Sequence, residues 1–304
     1  MAESIRLESP AKVNLRLEIL KKRGDGYHEI RTIFQKISLH DTLHFSLTRC
    51  IRRDACRDGA RARRARQERR RGIRITTDHP CLPTGERNLV YQAVRSILER
   101  SGYGGGIDIK IEKRIPLGAG LGGGSSNAAT ALKALNQLLK INLKKKELMG
   151  IGAGIGADVP FFLFEGSAIG SGGGERLRKI TLPTLWYILI NPNFEVSTRW
   201  AYQNFILTKT KYHFNLHGLL KSSRRISGIL YNDLEGVVSA RYPEIALMKE
   251  MLLWAGATGT LMTGSGPTVF GLFPGEKKAT EAYKQLARKV RGRGWRIVQA
   301  HGIP

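Results

Sequence analysis

The sequence predicts an α+β protein of two domains meeting at a cleft, and three observations predict it. Apolar and polar residues alternate along SIRLESPAKVNLRLEIL, DTLHFSLT and GIDIKIEKRIP, as in strands with one buried face. Segments with helical spacing lie between such strands, NLVYQAVRSILERSG being the clearest. The chain closes in the order helix, hairpin, helix, strand, which suggests a ferredoxin-like unit. At 304 residues there is room for two domains with ample cores.

Taken in order, Val13, Leu15 and Leu17 face one way on the first strand, and Lys12, Asn14 and Arg16 face the other. Alternation alone makes Lys12 an ordinary solvent-facing lysine. Leu43, Phe45 and Leu47 form the second apolar row, and Ile107, Ile109 and Ile111 the third. The helix between them carries Leu89, Ala93, Val94, Ile97 and Leu98 on one face and is closed by Gly102. After a glycine-rich loop, Ala128, Ala131, Leu132, Leu135, Leu138 and Leu139 line one side of a second helix. A polar stretch ends at Pro183, and we place the domain boundary there, giving domains 1–182 and 183–304. The second domain reads strand (LWYILI), helix (PEIALMKEMLLWAG), hairpin (GTLMTGSGPTVFGLF), helix (EKKATEAYKQLARKV) and strand (GWRIVQA).

Composition is globular, with 41% hydrophobic and 25% charged residues, but the net charge is +25. Such a charge suggests anionic partners. Its source is uneven: residues 49–74 hold twelve Arg, no Lys and only three acidic residues, a net of +9. The remaining +16 suits phosphorylated small molecules as well as RNA. No secretory signal and no membrane-length apolar run is visible, and Cys50, Cys56 and Cys81 make no disulfide framework, so a cytoplasmic protein is expected. His79 and Cys81 in HPC are too few for a metal site.

PLGAGLGGGSSNAATALKAL (116–135) carries the most chemistry. It follows a strand, packs five glycines into residues 118–124 and opens a helix with Ser125, Ser126 and Asn127. Glycine allows close approach of backbone N–H groups to an anion, and a helix N-terminus adds free donors and partial positive charge. The combination is a phosphate cradle. Gly118, Gly120 and Gly123 satisfy G-x-G-x-x-G, but the alternating strand before them and the missing acidic residue after them exclude a dinucleotide fold. The absence of G-K-[ST] excludes a Walker A loop.

PLGAGLGGGSSNAA resembles the phosphate-binding motif of the GHMP kinases (galactokinase, homoserine kinase, mevalonate kinase and relatives). SPAKVNLRLEI (9–19) resembles their N-terminal motif and GTLMTGSGPTVFGLF (259–273) their C-terminal glycine motif. GDGYHEI (24–30), GIGADVPFF (154–162) and YNDLE (231–235) resemble the branch that acts on a cytidine diphosphate-linked methylerythritol in the non-mevalonate route to isoprenoid precursors.

The resemblance implies an α+β GHMP kinase fold, with a ribosomal-protein-S5-domain-2-like ATP-binding domain followed by a ferredoxin-like domain. It implies transfer of the γ-phosphate of ATP, with Mg²⁺, to the substrate's tertiary 2-hydroxyl. Asp158 matches the catalytic aspartate, although its place before Val159 also fits a helix N-cap. Lys12 matches the catalytic lysine, its charge holding Asp158 ionised and stabilising the transferred phosphoryl group, and Asn14 on the same strand face binds substrate. Pro116, Leu117, Gly118, Ala119, Gly120, Leu121, Gly122, Gly123, Gly124, Ser125, Ser126 and Asn127 would wrap the ATP phosphates, with Asn88 near the adenine. Ser126 or Asn127 could meet Mg²⁺, but no carboxylate ligand identifies itself. Gly264, Ser265 and Gly266 would sit near the substrate phosphates, unless they only form a tight hairpin turn. Tyr27 and His28 would stack on and read the cytosine, with Tyr202 a second stacking face.

Homoserine and mevalonate kinases are the nearest alternatives, but their substrates offer no base to GDGYHEI. An RNA-binding protein is a third reading; residues 49–74, however, lack the aromatics that nucleic-acid readers interleave with basic residues. No nucleic-acid or membrane partner is expected. The Arg-rich stretch 49–72 is chemically alien to the Lys-rich chain around it, and we expect an exposed, mobile insertion or frame-shifted stretch outside the functional site.

Overall fold

Strands β1 (Ser4–Lys22) and β2 (His28–Thr48) contribute residues to both of the two compact units into which the chain divides. One unit gathers Met1–Ser9, Asp41–Arg114 and Gly124–Leu163; the other gathers Pro10–His40, Ile115–Gly123 and Phe164–Pro304. Both are built from three stretches of sequence, whereas the expected division at 182 is a single cut along the chain. This computed structural model describes residues 3–24, 26–48, 72–207 and 226–304. The Arg-rich stretch, apart from Gly72, lies outside the described residues.

In the first unit, β4 (Gly106–Glu112) pairs antiparallel with the end of β2, from Thr42↔Glu112 to Thr48↔Gly106. On its other edge it pairs parallel with β3 (Ile73–Thr77), from Ile73↔Ile107 to Thr77↔Ile111. Helix α1 (Leu89–Ser101) starts where Asn88 accepts from Val90 N and stops at Gly102, whose φ of 64° is left-handed. Ala93, Val94 and Ile97 of its predicted stripe are buried. Helix α2 (Gly123–Leu138) begins inside the glycine run and buries Ala128, Ala131, Leu132 and Leu135. Helices α3 (Lys145–Ile155) and α4 (Val159–Leu163) follow, α4 buried throughout.

In the second unit, β5 (Ser167–Gly172) pairs with β2 through Ile30–Phe34 and with β6 (Arg176–Ile180). Strand β6 lies in the polar stretch before Pro183, where periodicity gives no strand. It has no buried residue, so backbone pairing to β5 alone defines it. Strands β7 (Trp186–Asn191), β9 (Gly259–Met262), β10 (Val269–Phe273) and β11 (Arg296–His301) form an antiparallel sheet ordered β11-β7-β10-β9. In chain order that is 4-1-3-2, the ferredoxin-like arrangement. Strand β7 is central, with Ile188 and Ile190 packed in one core cluster and Tyr187 and Leu189 in another. Both faces are covered, which is why LWYILI is continuously apolar.

Helix α5 (Thr198–Gln203) follows β7. The two-residue strand β8 (Tyr231–Asn232) pairs parallel with β1 at Arg16↔Tyr231 and leads into α6 (Asp233–Arg241). Helices α7 (Glu244–Trp254) and α8 (Glu276–Arg291) complete the unit. Among the described residues no helix is long and apolar enough to cross a membrane.

Candidate active site

On the second unit, the polar face of β1 holds Lys12 and Asn14 side by side. Lys12 Nζ donates to Asn14 Oδ1 at 2.5 Å and lies 5.6 Å from the centre of the Phe34 ring. Asn14 Nδ2 donates to Thr32 Oγ1 at 2.7 Å, so β2 fixes the amide's orientation. Alternation predicted a solvent-facing Lys12; the side chain is instead buried, with Lys12 4% and Asn14 2% exposed. On the polar side of β1, Lys12, Asn14 and Glu18 are buried while Arg16 is only partly so.

Two turns meet this strand. Lys12 N donates to Leu121 O at 3.0 Å, pinning the glycine loop, and Asn14 N donates to Thr263 Oγ1 at 3.0 Å, pinning the C-terminal glycine turn. Gly120 (φ 74°) and Gly264 (φ 58°) pack backbone against backbone. A Cβ on Gly120 would stand 2.1 Å from Thr263 O, and one on Gly264 would stand 2.9 Å from Gly120 O. No other residue fits either position. Ala119 and Leu121 are buried anchors of the loop, and Ser265 Oγ lies 2.8 Å from Thr198 Oγ1.

Residues 124–127 of the same motif belong to the first unit. Ser126 is fully buried and accepts from Ser9 Oγ at 2.7 Å. Asn127 Nδ2 donates to Asp41 Oδ2 at 3.0 Å, while its Oδ1 is buried without a partner. Asp41 also accepts from Lys113 Nζ at 2.6 Å and from Arg114 N at 2.7 Å. Sequence reading missed this buried ion pair, because charge alone marks a residue as solvated. The only signal was an aspartate at the head of an apolar alternation. Asn88 is committed locally, its Oδ1 capping α1 and its Nδ2 donating to Pro83 O at 2.5 Å. Asp158 is half-buried in the turn before α4. Among the described residues no group of three His, Cys, Asp or Glu side chains could hold a metal.

At the β1–β2 hairpin, the His28 and Tyr202 rings lie 5.1 Å apart, tilted by 31°, and Tyr27 is 72% exposed. Burial, followed by the charge of Lys22, pushes the His28 imidazole below its ordinary pKa and favours its neutral form. A neutral imidazole offers one donor and one acceptor.

Residues 88–166 match the family model for the GHMP kinases N terminal domain, and residues 215–292 match that for GHMP kinases C terminal. A 4-diphosphocytidyl-2-C-methyl-D-erythritol kinase of Syntrophus aciditrophicus is 45% identical over 93% of this chain and 95% of its own length. One of Geobacter sulfurreducens is 43% identical over 96% of this chain and 97% of its own. A crystal structure of 4-(cytidine 5'-diphospho)-2C-methyl-D-erythritol kinase superposes with a TM-score of 0.77 at 32% identity, covering 99% of this chain and 100% of that one. A homoserine kinase of Cytophaga hutchinsonii, at TM-score 0.70 and 22% identity over 100% of this chain and 95% of that one, shares the fold. The chain therefore belongs to the GHMP kinases, in the family of the 4-diphosphocytidyl-2-C-methyl-D-erythritol kinases.

Proposed function

We propose that this kinase phosphorylates the 2-hydroxyl of 4-diphosphocytidyl-2-C-methyl-D-erythritol with ATP, as a cytoplasmic enzyme without nucleic-acid partners. The observation that carries the reading is 45% identity, spread over 93% of the chain, to a relative of that name. Residues 1–182 would form the ATP-binding domain and 183–304 the second domain, a division supported by the two family matches at 88–166 and 215–292.

Asp158 would take the hydroxyl proton as the oxygen bonds to the γ-phosphorus and the bond to ADP breaks. Lys12 would stabilise charge on the transferred group. Asn14, fixed by Thr32, would orient the substrate. Residues 116–127 and Asn88 would hold ATP: five of residues 118–124 are glycine, and α2 begins at Gly123 inside that run, which supports a phosphate-binding role. Bound Mg²⁺ would neutralise phosphate charge, and Ser126 Oγ and the unpartnered Asn127 Oδ1 are the fitting oxygens there. Gly264, Ser265 and Gly266 would approach the substrate phosphates. Tyr27, His28 and Tyr202 would hold the cytosine.

ADP release tests the reading, measured with 4-diphosphocytidyl-2-C-methyl-D-erythritol against homoserine and mevalonate. Strong preference for the cytidyl compound is expected. Equal or greater activity on either competitor overturns the assignment.

A further inference from the structure

The YNDLE motif has no role in the site as proposed, yet its asparagine touches the turn that completes that site. We infer that Asn232 is a positioning residue: its side-chain amide clamps the Thr263–Gly264 turn against β1 and the glycine loop, and so sets the geometry for the substrate. The inference rests on the cytidyl kinase reading for its substrate.

Both N–H groups of the amide are used within the turn. Asn232 Nδ2 donates to Met262 O at 2.7 Å and to Gly264 O at 2.8 Å, the carbonyls on either side of Thr263. Its Oδ1 points the other way and accepts from Leu234 N at 3.0 Å, capping α6. The residue is 6% exposed, and its backbone is registered on β1 by the pair Leu17↔Asn232. Two donors at one end and an acceptor at the other are what a short primary amide supplies. Asp has no donor when ionised, and Ser or Thr has one at most. Glu235 accepts from Met262 N at 2.7 Å, so the motif grips Met262 by both its N–H and its C=O.

What is clamped has no slack. Thr263 is fully buried, and its Oγ1 accepts from Asn14 N at 3.0 Å. Thr263 O rests so close to Gly120 that a Cβ there would stand 2.1 Å away. A shift of this turn is therefore felt by Asn14 and the glycine loop together, and misplacement by about 1 Å can cost on the order of 10²-fold in rate.

Asn232→Ser tests the clamp, since serine still caps a helix but cannot reach both carbonyls. We expect kcat/KM for the cytidyl substrate, per folded enzyme, to fall by about ten- to a hundredfold. Hydrogen exchange at residues 262–266 should quicken. Val238→Ala, in the buried face of the same helix, should lower Tm while leaving both readouts unchanged. If Asn232→Ser behaves like Val238→Ala, the inference is overturned. Should Asn232→Ser not fold, Asn232→Asp keeps the cap and the size. Its loss of kcat/KM should shrink as pH falls and the new carboxyl gains a proton to donate; a ratio to wild type that stays flat with pH overturns the clamp. The exchange readout needs no substrate, so failure of the cytidyl reading in the wild-type assay remains separable from failure of the clamp.

Discussion

Lys12 and Asn14 form a buried pair on one strand face, with the Lys12 ammonium donating to Asn14 Oδ1 at 2.5 Å. A buried ammonium is costly unless it is paired or works on an anionic ligand. Lys12→Ala should lower kcat by roughly 10²–10³-fold, the scale for losing one electrostatic stabiliser of the transition state. Some loss of phosphate affinity should accompany it. Steady-state kinetics with intact far-UV circular dichroism checks this, and near-native turnover would reduce Lys12 to a structural role.

Asp158 sits in the turn before α4, where a helix cap and a catalytic base are both reasonable. Asp158→Asn keeps the shape and a capping oxygen but removes the base. We expect kcat to fall by roughly 10²–10⁴-fold while ATP-analogue binding stays nearly unchanged. Retained turnover would leave Asp158 as a cap alone.

The ferredoxin-like unit was legible because β7 is buried on both faces and so reads as an unbroken apolar run. Strand β1 was legible by alternation, but alternation says only that two faces differ. It did not reveal that Thr32 and Phe34 of β2 close over Lys12 and Asn14. The first part of β2 was hidden for a related reason: Thr32 to Ile37 are all buried, with Gln35 and Lys36 among them, so no period of two survives. The interleaving of the compact units was invisible too, since it depends on strands long enough to serve both. Motif resemblance suggested candidate site residues; the backbone contacts that hold Gly120, Thr263 and Leu121 in place leave no trace in the sequence.

The His28 imidazole is pushed down by burial and then by Lys22, so the protein favours the neutral ring. Protonation below that depressed pKa would replace an acceptor with a second donor and weaken recognition of the cytosine edge. The kcat/KM for the cytidyl substrate should therefore decline on the acid side. Lys22→Ala removes a cause of the depression, so the acid limb should move to higher pH. Profiles of kcat/KM against pH for the two proteins decide it; coincident acid limbs would separate His28 from substrate recognition.

Asp41 and Lys113 pair at 2.6 Å with side chains 0% and 2% exposed. Removing one partner strands the other in the interior, so Asp41→Ala should destabilise the fold by about 3–5 kcal/mol in urea titrations. The loss is compounded because Arg114 N and Asn127 Nδ2 also donate to this carboxylate. Replacing the pair together, as Asp41→Leu with Lys113→Met, should be milder than the single change. A double variant as weak as the sum of both singles would show no coupling between them.

Residues 49–71 lie outside the described structure, but the strand ends on either side constrain what a replacement must do. Thr48 pairs with Gly106 and Ile73 with Ile107, on opposite edges of β4. Two strand spacings place those ends roughly 10 Å apart, a gap that about four extended residues can cross. The fold therefore needs only a short connection here, not one carrying eleven arginines between residues 49 and 71. Residues 49–71 contain no lysine and no aromatic side chain on which a base could stack. Replacing residues 52–71 by a Gly-Ser turn of about six residues should leave Tm within a few degrees and kcat unchanged. It should also abolish whatever binding to RNA or anionic vesicles the intact chain displays in filter or sedimentation assays at physiological salt. Loss of folding or of kinase activity on replacement would show instead that the arginine run is part of the working structure.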